Sequence, residues 1–178
     1  MEAFLRIVCA DFIVVVKITF RFSRRIIPFK SEHIYDNCGR KEPMRVLFWY
    51  CDRFDWTPAF QALPNAADPE PAENENCVVA FVHIEPKDVE SKSSAETKLA
   101  KNAKWLARKW QISSVILHSF THLGEEKAEA DEARALLDRT QKRLETAGYS
   151  VTQTPYGYFL DLVIQAKGHP LARVFKEF

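Results

Sequence analysis

Three short clusters carry the residue types that hydrolysis or nucleotide binding would need. Ser119-Phe120-Thr121-His122-Leu123-Gly124 follows an apolar run and precedes a helical one. In α/β sheets the end of such a strand is where ligands bind. His122 has the side chain for general-base or hydrogen-bond-donor work. It also has the standing of any lone histidine, a structural hydrogen-bonder, because nothing fixes a nucleophile beside it. Pro155-Tyr156-Gly157-Tyr158 reads in two ways. It is a turn flanked by core aromatics, or a platform for a nucleobase or sugar with Gly157 letting the ligand approach the backbone. Lys167-Gly168-His169-Pro170-Leu171 reads as a strand-ending turn with a solvated lysine.

Other chemistries find no template. The chain lacks a GxSxG elbow, HExxH, a Walker loop and a dinucleotide fingerprint. His83, His118, His122 and His169 are not at metal-ligand spacing, so neither a metal nor a cofactor is expected. Four cysteines (Cys9, Cys38, Cys51, Cys77) form no CxxC pair, which suits a reduced, cytoplasmic protein. Twenty-five Lys and Arg against 24 Asp and Glu leave +1 over 178 residues. That balance argues against a DNA-coating protein or a polybasic membrane binder, so no DNA and no membrane partner is expected.

The elements that must position these clusters begin at Met44. Residues 44–50 read as an opening strand, 52–75 as a long loop rich in Pro, Ala and acids, and 77–84 as a buried strand. Ser93-x-x-Glu96 has the form of a capping box before a helix whose apolar stripe is Leu99, Ala103, Leu106 and Trp110. The opposite face carries Lys98, Lys101, Lys104, Arg108 and Lys109. It reads as a solvated face or as a phosphate-backbone contact. A buried strand at 114–118 follows, then a helix at 128–147 with Ala133, Leu136, Leu137, Thr140 and Leu144 inward and Gly148 as its stop. Strands at 150–152 and 158–166, the Lys167–Pro170 turn and a short apolar tail complete the chain. This order gives an α/β (α+β) single domain, a β-sheet with helices packed on it.

Residues 1–43 are read as a short N-terminal extension, either poorly ordered or preceding a true start at Met44, and 44–178 as the domain. The extension carries +3 and the domain −2. The apolar stretch at 7–20 is interrupted by Asp11 and Lys17 and falls short of the roughly 20 residues of a spanning helix. It has no A-x-A-like cleavage site, and the runs 13–16 and 18–20 favour strand.

In order and separation, the three clusters resemble the editing domain at the N-terminus of archaeal threonyl-tRNA synthetases. The strings that carry the resemblance are Phe120-Thr121-His122-Leu123, the Leu136-Leu137 helix, Pro155-Tyr156-Gly157-Tyr158 and Lys167-Gly168-His169-Pro170-Leu171-Ala172. It runs from Met44 to about Phe175. The resemblance implies a D-aminoacyl-tRNA deacylase-like fold, usually a homodimer, and hydrolysis of the ester of a mischarged aminoacyl-tRNA, of the seryl-tRNA(Thr) or D-aminoacyl kind. Ser119, Phe120, Thr121 and His122 would then line the aminoacyl pocket, with His122 the catalytic candidate assisting by hydrogen bonding. Tyr156, Gly157 and Tyr158 would border the terminal adenosine. In the family, main-chain atoms do much of the recognition and the RNA's 2′-hydroxyl helps to place the water.

Three departures stand against the family pattern. Its aromatic-lysine pair is Phe159-Leu160 here, its glutamate after Gly-His-Pro-Leu-Ala is Arg173, and its serine after His-Leu is Gly124. A lost positioned charge costs catalysis on the order of 10²–10³-fold. With no aminoacylation or anticodon-binding domain in 178 residues, the expectation is a stand-alone editing factor partnered by the aminoacylated tRNA 3′ end. The alternative is a catalytically impaired module that binds a tRNA end or a nucleotide, working with a separate threonyl-tRNA synthetase.

Overall fold

The computed structural model describes residues 3–9, 12–18, 44–64, 66 and 68–178. Among these, eight strands form one sheet: β1 (Ala3–Cys9), β2 (Phe12–Ile18), β3 (Arg45–Gln61), β4 (Ala72–His83), β5 (Ser114–Ser119), β6 (Ser150–Gln153), β7 (Tyr158–Ala166) and β8 (Arg173–Glu177). The helices are α1 (Ala95–Trp110) and α2 (Ala130–Thr146). Strand order is β1-β2-β7-β3-β4-β5-β6, with β8 also paired to β3. β4, β5 and β6 run parallel, joined by α1 and α2 as crossovers; β3 is antiparallel to β4, β7 and β8. No described helix is long and apolar enough to cross a membrane. Of the reading of 1–43 as a poorly ordered extension, the residues other than β1 and β2 lie outside the described ones. The run 13–16 falls within β2.

β4 explains the layering. Its side chains alternate across the sheet, and both faces are covered, which is why it reads as one apolar run. Val78, Ala80 and Val82 join Met44, Val46 and Phe48 in a core closed by Leu99, Ala103 and Leu106 of α1 and Leu136, Leu137 and Leu144 of α2. Cys77, Val79 and Phe81 turn the other way, into a second core with Cys51, Phe54, Trp56 and Ile116. Leu160, Leu162 and Ile164 of β7 pack onto it.

The second core exists because the β3–β4 hairpin bends over on itself. Register opposes Phe81 to Leu47 and Phe54 to Asn74. Leu47 and Phe54 would stand about 23 Å apart on a straight strand, yet the Phe54 and Phe81 ring centroids are 6.2 Å apart. β3 shifts register against β7 between Cys51 and Arg53, a bulge that sharpens such a bend.

The long loop expected at 52–75 is therefore largely strand. Phe54 and Trp56, alternating with Arg53, Asp55 and Thr57, continue β3 to Gln61, and β4 begins at Ala72. The apolar tail is likewise strand β8. The Ser93–Glu96 capping box does not form. Ser93 Oγ accepts from Ala95 N at 3.1 Å, but the Glu96 carboxylate is drawn off by Arg139 (3.1 Å) and Arg143 (2.8 Å) of α2.

Candidate functional site

The site begins where β5 ends. Ser119 closes the strand, half-buried, and Phe120 is tied back to the sheet by its N–H donating to Val82 O at 2.9 Å. The chain then loops out through Thr121 and His122, both exposed, and returns with Ala128 N donating to Ile84 O at 2.9 Å. A third tether crosses the loop: buried His83 donates from Nε2 to Glu126 O at 2.8 Å. The loop bearing His122 is thus pinned at both ends to Val82, His83 and Ile84, where β4 finishes.

Below that loop lies a buried polar group. Arg45 Nη1 donates to Glu85 Oε1 at 2.8 Å and Arg45 Nε to Glu177 Oε1 at 3.1 Å. Asp88 Oδ2 accepts from Glu85 N at 2.8 Å, and burial raises the Asp88 carboxyl pKa against the pull of its backbone hydrogen bonds. Gly124 rests directly on this group. A Cβ there would lie 2.7 Å from His83 Nε2 and 2.8 Å from Glu85 Oε1, and would collide with Arg45 Nη1. A side chain at Gly124 would require the Arg45–Glu85 pair and His83 to shift.

Rings and hydroxyls tie the two halves of the site together. His118 packs edge-on to Phe81 with centroids 4.6 Å apart, and Phe120 lies 5.2 Å from both Phe81 and His122. His118 Nδ1 shares a 2.9 Å hydrogen bond with Thr154 Oγ1, and Thr154 N donates to Leu117 O at 3.1 Å. Burial holds the imidazole neutral, its pKa lowered to about 4. The Ser119 hydroxyl lies near Tyr156, whose phenol donates to Ala130 O at 2.9 Å at the start of α2. Burial raises the Tyr156 pKa, and the nearby Ser119 hydroxyl opposes it.

Of the residues singled out from sequence, Ser119 and Tyr156 are brought near each other, and Phe120 meets His122. Thr121 points to solvent. Tyr158 opens β7 opposite Gln61. Gly157 has φ +85°, and its carbonyl accepts from Ala62 N (2.8 Å) and Leu63 N (3.1 Å). A Cβ there would meet Leu63 and Ala66 at 3.0 Å. The space beside its α-carbon is filled by the chain itself and is not kept open for a ligand. His118 and Thr154 were missed. The available signal was a histidine inside an otherwise apolar strand.

The third cluster has a structural account. Lys167 Nζ pairs with Asp52 at 3.0 Å and sits over the stacked rings of Tyr50 and Trp110, themselves 3.9 Å apart. His169 Nδ1 accepts from Leu171 N at 3.1 Å. Lys167 is therefore half-committed to the protein and is not simply solvated. Leu160 packs on the second core, and Arg173 is exposed at the head of β8. Cys51 and Cys77 are buried free thiols, Cys77 pushed up to about 12 by burial, so neither supplies a thiolate. Among the described residues no group of three His, Cys, Asp or Glu gathers to hold a metal.

A family model described as the Archaea-specific editing domain of threonyl-tRNA synthetase matches residues 44–178. The threonine–tRNA ligase of Pyrobaculum aerophilum is 27% identical over 136 residues, 76% of this chain and 22% of that protein. That of Thermococcus kodakarensis is 28% identical over 138 residues, 74% and 22% of the two chains. The chain thus spans about a fifth of the length of these relatives. Among solved structures, a c-Myc DNA unwinding element binding protein superposes with TM-score 0.55 at 10% identity, covering 75% of this chain and 98% of that one. A structure described as a probable eukaryotic D-amino acid tRNA deacylase superposes with TM-score 0.51 at 12% identity, covering 76% and 100%. At these identities the likeness is one of fold, and that fold is the D-aminoacyl-tRNA deacylase type.

Proposed function

The chain belongs to the archaea-specific editing-domain family of threonyl-tRNA synthetases, and from that membership we propose that it hydrolyses the ester joining a wrong amino acid to the 3′ end of a tRNA. The observation that carries the reading is the match over the whole of 44–178. The nearness of the Ser119 hydroxyl to Tyr156, at the end of β5, supports it.

In this reading water attacks the ester carbonyl carbon, the oxyanion collapses, and the ribose oxygen leaves with a proton. The products are free amino acid and uncharged tRNA. Ser119, Phe120 and Thr121 border the aminoacyl group. His122, exposed on a loop pinned by Val82, His83 and Ile84, hydrogen-bonds the reacting ester. Tyr156 and Tyr158 flank the terminal adenosine, and Gly157 sets the turn that aims them. Serine and threonine differ by one methyl, worth only about 1–3 kcal/mol in a pocket, so a second sieve for the smaller residue is a physical need. A homodimer, a cytoplasmic location and cooperation with a separate threonyl-tRNA synthetase belong to the same proposal, as does the division into a 1–43 extension and a 44–178 domain.

Leu160 and Arg173 favour a second reading. The first packs a partly buried alkyl chain on the second core where the resemblance expects a lysine, and the second presents a cation where it expects a glutamate. A module that grips a charged tRNA end without turning it over fits both. Incubation with seryl-, D-aminoacyl- and threonyl-tRNA separates the two. Release of serine or D-amino acid above the buffer rate is expected. No release from any substrate removes the deacylase reading. Binding without turnover selects the second, and Leu160→Lys with Arg173→Glu then restores hydrolysis.

A further inference from the structure

The outer face of α1 is charged in one sign only. It bears Lys98, Lys101, Lys104, Arg108 and Lys109, and the helix has one acid, Glu96. From 3.6 residues per turn the five cations fall within an arc of about 140°, opposite the inward stripe of Leu99, Ala103 and Leu106. Glu96 does not neutralise them, since Arg139 and Arg143 of α2 hold its two oxygens. Among the described residues no carboxylate comes within ion-pair distance of any of the five. Four are exposed and Lys104 is half-buried.

A face that only had to be wet would not need this pattern. The cations recur at spacings of three, three and four, where like charges destabilise a helix and alternating charges would stabilise it. α2 follows the ordinary rule, with Asp131, Glu132, Asp138 and Glu145 against Arg134, Arg139, Lys142 and Arg143. With +4 on α1 and −2 on residues 44–178, the rest of the domain carries −6. The stripe is about 16 Å long at 1.5 Å per residue. Its first turn lies at the end of the sheet where β4 finishes and the His122 loop is pinned.

We infer that the outer face of α1 is a docking surface for the phosphodiester backbone of RNA. A lipid surface fits it less well. The tryptophans of α1 are engaged, Trp110 on Tyr50 and Trp105 beneath Lys176, so no apolar side chain is free among the cations to enter a bilayer. Phosphates need only the charge. The surface extends the deacylase reading and stands apart from it, because it concerns the body of the RNA and not the ester.

The test is fluorescence anisotropy with uncharged bulk tRNA on the full chain, titrated from about 50 to about 200 mM salt. The wild type is expected to bind with a steep log–log salt slope. Lys98→Ala/Lys101→Ala/Arg108→Ala is expected to flatten that slope by about three, about one per cation removed, while the triple arginine-lysine exchange (Lys98→Arg/Lys101→Arg/Arg108→Lys) keeps it. An unchanged slope in the alanine variant overturns the inference. So does binding to phosphatidylserine vesicles without binding to tRNA. Hydrolysis of 3′-aminoacyl adenosine, which has no phosphodiester for α1 to hold, is expected to be equal in wild type and alanine variant. Its absence in both would count against the deacylase reading alone.

Discussion

At Gly124 a Cβ would press on the side-chain ends of Arg45, His83 and Glu85, which must shift to admit one. Gly124→Ser is therefore expected to cost about 1–3 kcal/mol through overpacking. His83→Ala vacates one wall of that space, so the double variant should lose less than the sum of the single losses. Urea denaturation of the four proteins measures the coupling; strict additivity would mean that His83 does not set the constraint. His118 carries a second consequence. Its pKa falls from 6.5 to about 4 on burial, so between those values the unfolded chain takes up a proton that the folded one refuses. The stability it protects is whole above pH 6.5 and is lost on acidification toward pH 4. A depression of this size corresponds to about 3 kcal/mol. His118→Asn keeps a polar group facing Thr154 without titrating, and should flatten the stability–pH profile across that window. A profile as steep as the wild type's would assign the dependence to another group. His122 could be picked out from sequence because a lone exposed histidine follows a strand. For His118 the sequence shows only a histidine inside an apolar strand, and not its pairing, since its partner Thr154 is 36 residues away.

At the scale of elements, the bend in the β3–β4 hairpin makes the second core, and Phe54 is its hinge-side filler, fully buried against Trp56 and Phe81. Phe54→Ala should cost about 3–5 kcal/mol. It should also raise amide exchange in the outer half of β3 before the inner half, as read by hydrogen–deuterium exchange. Uniform loss of protection would argue that the two halves open as one unit. The helices and β4 were legible in the sequence because burial on one stripe, or on both faces, writes a local period. The outer hairpin was not. Its Phe54–Trp56 alternation is short, the bulge after Cys51 resets the phase, and the Pro-rich stretch at 64–71 resembles a loop that long. The capping box failed for a different reason. Glu96 had two arginine partners on α2, more than 40 residues away, that no local motif announces.

For the molecule as a whole, the near-zero sum of charges conceals a separation. One helix is strongly basic while the rest of the domain is acidic; the helical period already put the basic residues on one face, and the structure adds that no carboxylate among the described residues pairs with them. The three clusters likewise spoke of one family in sequence, but their placement appears only in three dimensions: two meet at the end of β5, and Lys167 of the third braces Tyr50, Trp110 and Asp52. One feature of the sheet bears on how the chain reaches this state. The inner half of β3 is bonded along one edge by β8, so Arg45 and Glu177 meet across 132 positions, and Phe178 N donates to Met44 O at 3.1 Å. On a ribosome, α1, β5 and α2 emerge and can collapse while that edge of β3 stays bare. The domain must wait for its last strand, and entropic closure of so long a loop slows the final step. Until then the nascent chain offers an open strand edge to any other chain that reaches it first.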